Sequence, residues 1–320
     1  MEGTLLCWDG LEIYGGGTYA LPPLLSWEVR LTGGVPCDSF SLTCCCDREM
    51  ASRLDKTWRL TLVRNGTLLR AVVDESEVIQ DEKGRRAHIS GRGLAALLLD
   101  NESEAVEYSA PTLSELLRRH AAPYGLRWAP FEEIRGSTPY GVASSSSQWK
   151  AINAFTQYYG GFPLRITPEG VLQPVRWQDP GKRLLIGERT PVLRLQWRDR
   201  RYGVYTEVLV VDKVRKTAQT VRNQAQLQRG GSCRRVIYTP GRSTGTAMRY
   251  TGAYQIEQSK AGARRLHVVL PGYFEARPGA VVRMERGDIG VTGDFYLEEA
   301  AFSCNETGET TGLRLRRLQE

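Results

Sequence analysis

Short apolar–polar alternation, cut by tight-turn signals, runs through most of this 320-residue chain and restricts its fold more than any other feature. In SWEVRLTGG, Trp27, Val29 and Leu31 alternate with Glu28, Arg30 and Thr32, the period of a strand with one buried face, and Gly33-Gly34 then turns the chain. The next strand places Phe40, Leu42, Cys44 and Cys46 on one face and Ser39, Ser41, Thr43 and Cys45 on the other. Trp58, Leu60 and Leu62 alternate up to Asn65-Gly66, a two-residue hairpin signal, and a further hairpin is predicted to turn at Asp81–Gly84.

The pattern changes at Thr112. TLSELLRRH sets Thr112 and Glu115 at capping-box spacing ahead of an apolar run, so a helix of two or three turns is predicted, ending before Pro123. A second helix is predicted where Trp149, Ile152, Phe155 and Tyr159 recur at helical spacing before Gly160-Gly161. FPLRITPEGVLQPVRW follows as a hairpin turning at Pro168-Glu169-Gly170, and from Arg194 onward strands dominate again. In the last of them Leu313 and Leu315 point inward and Arg314 and Arg316 outward.

The expectation is a mainly β protein with an α+β insertion. A first barrel or sandwich unit spans 1–108 and is completed by strands near 190–212; a small mixed α/β domain spans 109–187; a second β unit spans 188–320. With 41% apolar residues the chain can fill real cores. It holds no 18-residue apolar run, and its start lacks a secretory pattern, so a soluble protein made in the cytosol is expected, without membrane insertion.

Seven cysteines, Cys7, Cys37, Cys44, Cys45, Cys46, Cys233 and Cys304, are odd in number and scattered, which reads as thiols. Adjacent strand residues face opposite ways, so Cys44-Cys45-Cys46 does not present three ligands to one ion, and no Cys-x-x-Cys completes a zinc set. Cys44 and Cys46 are expected to pack as small hydrophobes, with Cys45 elsewhere.

Other candidate chemistry has plainer readings. Gly91-x-Gly93-x-x-Ala96 has dinucleotide-fingerprint spacing, but the strand before it is half polar and no βαβ unit follows. The glycine-spaced Pro240–Thr246 lacks a phosphate-loop lysine and reads as a turn. His88, His120 and His267 are dispersed, with His88 and His267 at surface-facing strand positions. Glu132, Glu133, Asp294, Glu298 and Glu299 show no acid–base motif and read as solvated charges. No catalytic, cofactor-binding or metal-binding residue is assigned.

The net charge of +7 is concentrated, since Gly181–Arg242 holds 15 basic against 4 acidic residues. Trp197, Arg198, Arg200, Arg201, Arg234 and Arg235 are the candidate interface residues of this segment, because Arg and aromatic side chains anchor protein contacts. The same residues suit a nucleic-acid surface, although no recognised module accompanies them.

Taken together, LLSWEVRLTGGVPCDSFSLTCCCD from Leu24, VVDESEVIQDEKGRRAHISGRGLAALLLD from Val72, APTLSELLRRHAAPYGL from Ala110, VVLPGYFEARPGAVVRMERGDIGVTGDFYLEEAAF from Val268 and the terminal TTGLRLRRL resemble the baseplate hub family of phage tails and contractile injection machines. That family includes the late control protein D and Mu-type tail hub proteins. The resemblance covers most of the chain in order. It implies two tail-tube-like β-barrels flanking an α/β insertion. It also implies a homotrimer whose ring joins the sixfold tail tube to the threefold spike around a central channel. Expected partners are other copies of the chain, the spike, the tail tube or distal tail protein, the tape measure protein, and DNA passing without sequence-specific binding. The expected location is the virion tail or injection-particle baseplate, after assembly in the bacterial cytoplasm. The cysteine run is not a feature of that family. Alternative functions are a tail-associated cell-wall hydrolase and a nucleic-acid-binding module using the basic segment 181–242.

Overall fold

Alternation aligns the first five strands so that one face of each is apolar. In the computed structural model, which describes residues 20–33, 36–55, 57–64, 66–175, 181, 183–239, 241–261 and 263–318, β1 (Leu24–Thr32), β2 (Ser39–Cys45), β3 (Arg59–Val63), β4 (Thr67–Asp81) and β5 (Gly84–Gly93) pair antiparallel in the order β1-β2-β5-β4-β3. Val29, Leu31, Phe40, Leu42, Leu60 and Ile89 fill the core on the shared face. The hairpins turn where the sequence predicts, with Arg64 N–H donating to the Gly66 carbonyl at 2.9 Å and Asp81 paired with Gly84. The predictions for Cys7, Gly34, Asn65 and Pro240 lie outside the described residues.

Between β2 and β3 the chain forms a helix that the alternation did not signal, α1 (Arg48–Leu54), capped by Asp47, whose carboxylate accepts from Met50 N–H at 2.6 Å. It buries Met50 and Leu54. Cys44 and Cys46 are buried as expected, with Cys44 Sγ 3.8 Å from Met50 Sδ, and Cys45 is exposed. Cys44→Ser should therefore cost about 1–3 kcal/mol by burying a hydroxyl among apolar atoms, and Cys45→Ser no more than about 0.5 kcal/mol, as read by urea melts. Equal costs would contradict the facing.

After α2 (Ala96–Leu99) the chain enters a unit with its own core, built from β6 (Glu102–Ser103), β7 (Val106–Tyr108), α3 (Leu113–His120), β8 (Arg127–Trp128), β9 (Tyr140–Val142), β10 (Ser146–Ser147), α4 (Gln148–Phe155), β11 (Leu164–Ile166) and β12 (Val171–Pro174). Both predicted helices are present. The Thr112 hydroxyl accepts from Glu115 N–H at 3.2 Å, Ser147 caps α4, and Gly161 ends the following π-wound turn at φ 76°. Leu113, Leu116, Leu117, Ile152 and Phe155 form the centre of this core, which Leu98 of α2 also joins.

The chain then returns to the large sheet through β13 (Arg183–Gly187) and β14 (Arg194–Asp199). It leaves again for an excursion containing β15 (Glu207–Asp212), β16 (Thr217–Arg222), α5 (Gln224–Gln228), β17 (Arg234–Tyr238) and α6 (Gly245–Ala261). β18 (Arg264–Pro271), β19 (Val281–Arg286), β20 (Val291–Asn305) and β21 (Gly308–Arg317) follow.

The mainly β class with an α+β insertion holds, but the β units are not separate. A single eleven-stranded sheet runs β14-β18-β21-β20-β1-β2-β5-β4-β3, with β13 and β19 branching from β20. β20 makes the join. Its first part pairs with β19 from Val291 to Tyr296, and its second part pairs with β1 from Glu299 to Cys304, while β21 lines its other edge. One core correspondingly contains residues of both units, from Leu31 and Leu42 to Phe295 and Leu315. Among the described residues no ladder joins the two ends of the sheet, β14 and β3.

The strands near 190–212, expected to complete the first unit, pair elsewhere. β14 pairs with β18, and β15 is the central strand of a separate sheet, β16-β15-β17. The excursion between β14 and β18 is closed at its neck by Arg200 N–H donating to the Ala263 carbonyl at 2.6 Å. Its helix α6 was not signalled in a stretch where strands were expected to dominate. Gly252 lets α6 lie directly on the sheet, where a Cβ would approach Val221 Cγ2 to 2.6 Å.

Candidate assembly interface

The six candidate interface residues fall into two groups. Trp197 and Arg198 lie on β14, an end strand of the large sheet, and Arg200 and Arg201 follow it. Trp197 packs edge-on to Phe295 at 6.1 Å, while Asp199 is approached by Arg264 at 3.7 Å and Arg201 at 3.9 Å. Arg234 and Arg235 begin β17, an end strand of the small sheet. Arg234 pairs with Glu207 at 3.1 Å, and Arg235 donates to the Tyr205 hydroxyl at 3.0 Å. All five arginines are exposed.

The charge surplus lies in the excursion. Residues 200–263 hold twelve basic and three acidic side chains, more than the surplus of the whole chain. Asp212 is buried, accepting from the N–H groups of Val214, Arg215 and Ser243 at 2.6–2.9 Å, which hold its carboxyl below the usual range together with the nearby Arg215 charge. Glu207 is shared by Arg222 and Arg234, and Glu257 is held by Lys260. A shallow depression of about 440 Å³ beside β16 is lined by Gln219, Thr220, Val221, Arg222, Gln224 and Arg249.

Three of the carboxylates considered for acid–base work, Asp294, Glu298 and Glu299, are engaged instead by guanidiniums. Glu299 lies 2.7 Å from Arg314 and 3.6 Å from Arg30; Glu298 lies 3.2 Å from Arg316 and 3.6 Å from Arg265; Asp294 lies 2.6 Å from Arg283 and 3.4 Å from Arg183. A register shift between Leu297 and Glu299 keeps both adjacent glutamates on the outer face while Leu297 and Ala300 remain inside. Sequence alternation alone places one of them inward. Burial raises the Glu298 pKa, and the surrounding arginines oppose it. Glu133 accepts from Ser114 N–H at 3.1 Å at the start of α3.

The histidines serve separate packing roles. His120 is buried between the Tyr108 hydroxyl at 2.9 Å and Gln148 Oε1 at 2.6 Å, and burial lowers its pKa. His88 and His267 sit half-buried on the outer sides of their strands, with His88 Nδ1 3.3 Å from the Thr43 hydroxyl. Among the described residues no group of three His, Cys, Asp or Glu side chains is placed to hold a metal ion.

The glycines of the dinucleotide-like segment serve sheet packing. β5 is antiparallel to both neighbours, a Cβ on Gly91 would lie 2.0 Å from the Val72 carbonyl oxygen, and a Cβ on Gly93 would lie 3.3 Å from Asp38 Cβ. Asp38 is itself buried, and desolvation pushes its carboxyl up to about 7 from 3.8, against the Thr32 N–H at 2.6 Å and the Thr32 hydroxyl at 3.3 Å. A carboxyl with a raised folded-state pKa contributes stability that is full below the unfolded value and is lost as pH rises through the folded one. The protein should lose about 1–3 kcal/mol from this group between pH 4 and about 7, and Asp38→Asn should flatten that part of the profile. Urea melts across that range test it; an unchanged profile in the variant would refute the assignment.

No helix among the described residues is long and apolar enough to cross a membrane. The sequence matches no protein-family model and no curated protein. Solved structures do match. A tail protein from Neisseria meningitidis MC58 superimposes with a TM-score of 0.78 at 14% identity, covering 98% of this chain and 96% of that one. The 43 kDa tail protein of prophage MuSo2 from Shewanella oneidensis gives 0.75 at 13% identity, covering 98% of each chain. An Escherichia coli component of the type VI secretion system, described as structurally similar to the T4 tail proteins gp27 and gp5, gives 0.56 at 11% identity over 93% of this chain and 74% of that one. With the eleven-stranded sheet and inserted α/β unit in place, this chain has the fold of these phage tail proteins.

Proposed function

We propose that this chain is a structural baseplate hub subunit of a phage tail or a phage-tail-like contractile injection particle. Three copies form a ring that joins the sixfold tube to the threefold spike and leaves a central channel. The observation that carries this reading is β20, which pairs with β19 along its first part and with β1 along its second and so joins two β units in one sheet. Two tube-like units per chain, taken as residues 1–108 and 188–320 around the 109–187 insertion, give six around a threefold axis. Such a subunit can match a sixfold ring on one side and a trimer on the other.

The role is mechanical and not enzymatic. The partners are other copies of the chain, the spike and the tail tube or distal tail protein, with the tape measure protein adjoining and DNA passing through without sequence-specific binding. The location is the tail or baseplate of the particle. The arginine-rich surfaces formed by Trp197, Arg198, Arg200, Arg201, Arg234 and Arg235 serve protein contact, since oriented cations select partners by electrostatic complementarity.

Native mass spectrometry of the full chain, alone and with the spike protein, tests this. A threefold mass in either condition is the expected result. A monomer that ignores the spike would overturn the reading.

A further inference from the structure

The small sheet of the excursion leaves one face and one strand edge without a protein layer among the described residues. α6 covers the face that carries Val208 and Val210. On the opposite face, register places Arg222, Glu207 and Arg234 in one row, Thr220, Leu209 and Val236 in the next, and Ala218, Val211 and Tyr238 in the third. Val236 and Tyr238 are 44% and 56% exposed, on the strand that ends the sheet. An end strand with exposed apolar residues and open backbone groups is a template for another strand. The surrounding cations make this edge selective for an acidic one.

A complementary edge lies on β4. β3 accompanies β4 only as far as Val72, and the Trp58 carbonyl accepts from Val73 N–H at 3.1 Å. From Asp74 to Asp81 the edge of β4 away from β5 is open among the described residues. Asp74 is held by Arg92, and Asp81 by Arg86. Glu75 and Glu77 are exposed and have no ion pair among the described residues, and Val78 is 44% exposed. This segment is thus an acidic, partly apolar ribbon whose outer backbone groups have no strand beside them.

We infer that these two edges meet between copies of this chain. The Asp74–Asp81 edge of one copy adds to β17 of the next, with Glu75 and Glu77 on the face that carries Arg234 and Val236, and Arg235 at the same edge on the opposite face. Strand addition supplies main-chain hydrogen bonds, and the charges fix direction and register. The two surfaces differ, so the contact is head-to-tail, the type that builds a ring when its rotation closes. The inference rests on the ring reading above and names the surfaces that make the ring.

Sedimentation of the full chain over a concentration series tests it with two double reversals, Glu75→Lys with Glu77→Lys, and Arg234→Glu with Arg235→Glu. Circular dichroism melts check that each variant folds, and Gln in place of Lys serves if the first reversal does not. Each reversal should raise the self-association Kd about tenfold or more, and combining all four should return it to within about threefold of the original. Unchanged assembly in both reversals would overturn the edge pairing and leave the ring reading standing. A wild-type chain that is monomeric throughout, with and without the spike, would overturn both. Loss of spike or tube binding by the arginine reversal, with self-association intact, would give the β17 edge to another occupant and overturn the pairing.

Discussion

Gly91→Ala is expected to destabilise the protein by more than about 4 kcal/mol and to remove most of the soluble folded material. The position lies on β5, between β2 and β4, where an added Cβ would stand 2.0 Å from the Val72 carbonyl oxygen and 2.8 Å from Phe40 Cε1. The first obstacle is backbone on a neighbouring strand, so no rotamer change relieves it. Next to it the β4–β5 register shifts between Val73 and Glu75, which draws the strands into this approach. Separation of β4 from β5 would also disturb Ile89 and Leu69 in the core they share. Gly141→Ala is the control, because a Cβ there meets nothing within 4 Å, and it should shift stability by no more than about 1 kcal/mol. Thermal melts and soluble yield of the two variants compare them directly. A Gly91→Ala protein melting within a few degrees of the original would show that the close approach does not exist.

The second large effect is expected at Arg64. This residue follows β3, at one end of the large sheet, yet its guanidinium meets the Glu309 carboxylate at the start of β21, with Nη2 3.0 Å from Oε2 and Nη1 bonded to Oε1. It also stacks over Tyr273 at 4.1 Å and approaches Trp27 at 5.7 Å. Both side chains are mostly buried, at 18% and 10% exposure. The contact therefore brings an end strand against the β20–β21 hairpin through side chains where no backbone ladder connects them. Arg64→Met should cost about 3–5 kcal/mol, because it leaves Glu309 buried without its partner charge. Glu309→Gln alone should cost less, and the double variant should recover much of the loss of Arg64→Met. A double-mutant cycle by urea denaturation measures the coupling. Additive costs would mean that the pair does not hold these elements together.

Much of the architecture was legible because burial on one side of a strand imposes a two-residue period. Phe40, Leu42 and Cys44 obey it, as do Leu313 and Leu315, and the cysteine run follows from the same rule without appeal to a metal. Helices α3 and α4 were legible because their signals are local, a capping box at Thr112 with Glu115 and apolar spacing at Trp149, Ile152 and Phe155. α6 was hidden because Ala247, Met248 and Ile256 are its buried apolar residues, and its packing relies on the missing side chain of Gly252. The sequence could mark the excursion as basic, but could not show that β14 and β18 pair across its neck.

The candidate interface was only partly legible. Composition singled out Arg234 and Arg235, whereas the open edge of β17 and the matching edge of β4 depend on which strands have neighbours. The sequence by itself determined the alternating strands and the helices α3 and α4, since those rest on local conformation and side-chain period. Only the tertiary structure decided that β20 joins two β units in one sheet and that Arg64 reaches Glu309 across 245 positions, because strand partners and long-range ion pairs are set by the packing of the whole chain.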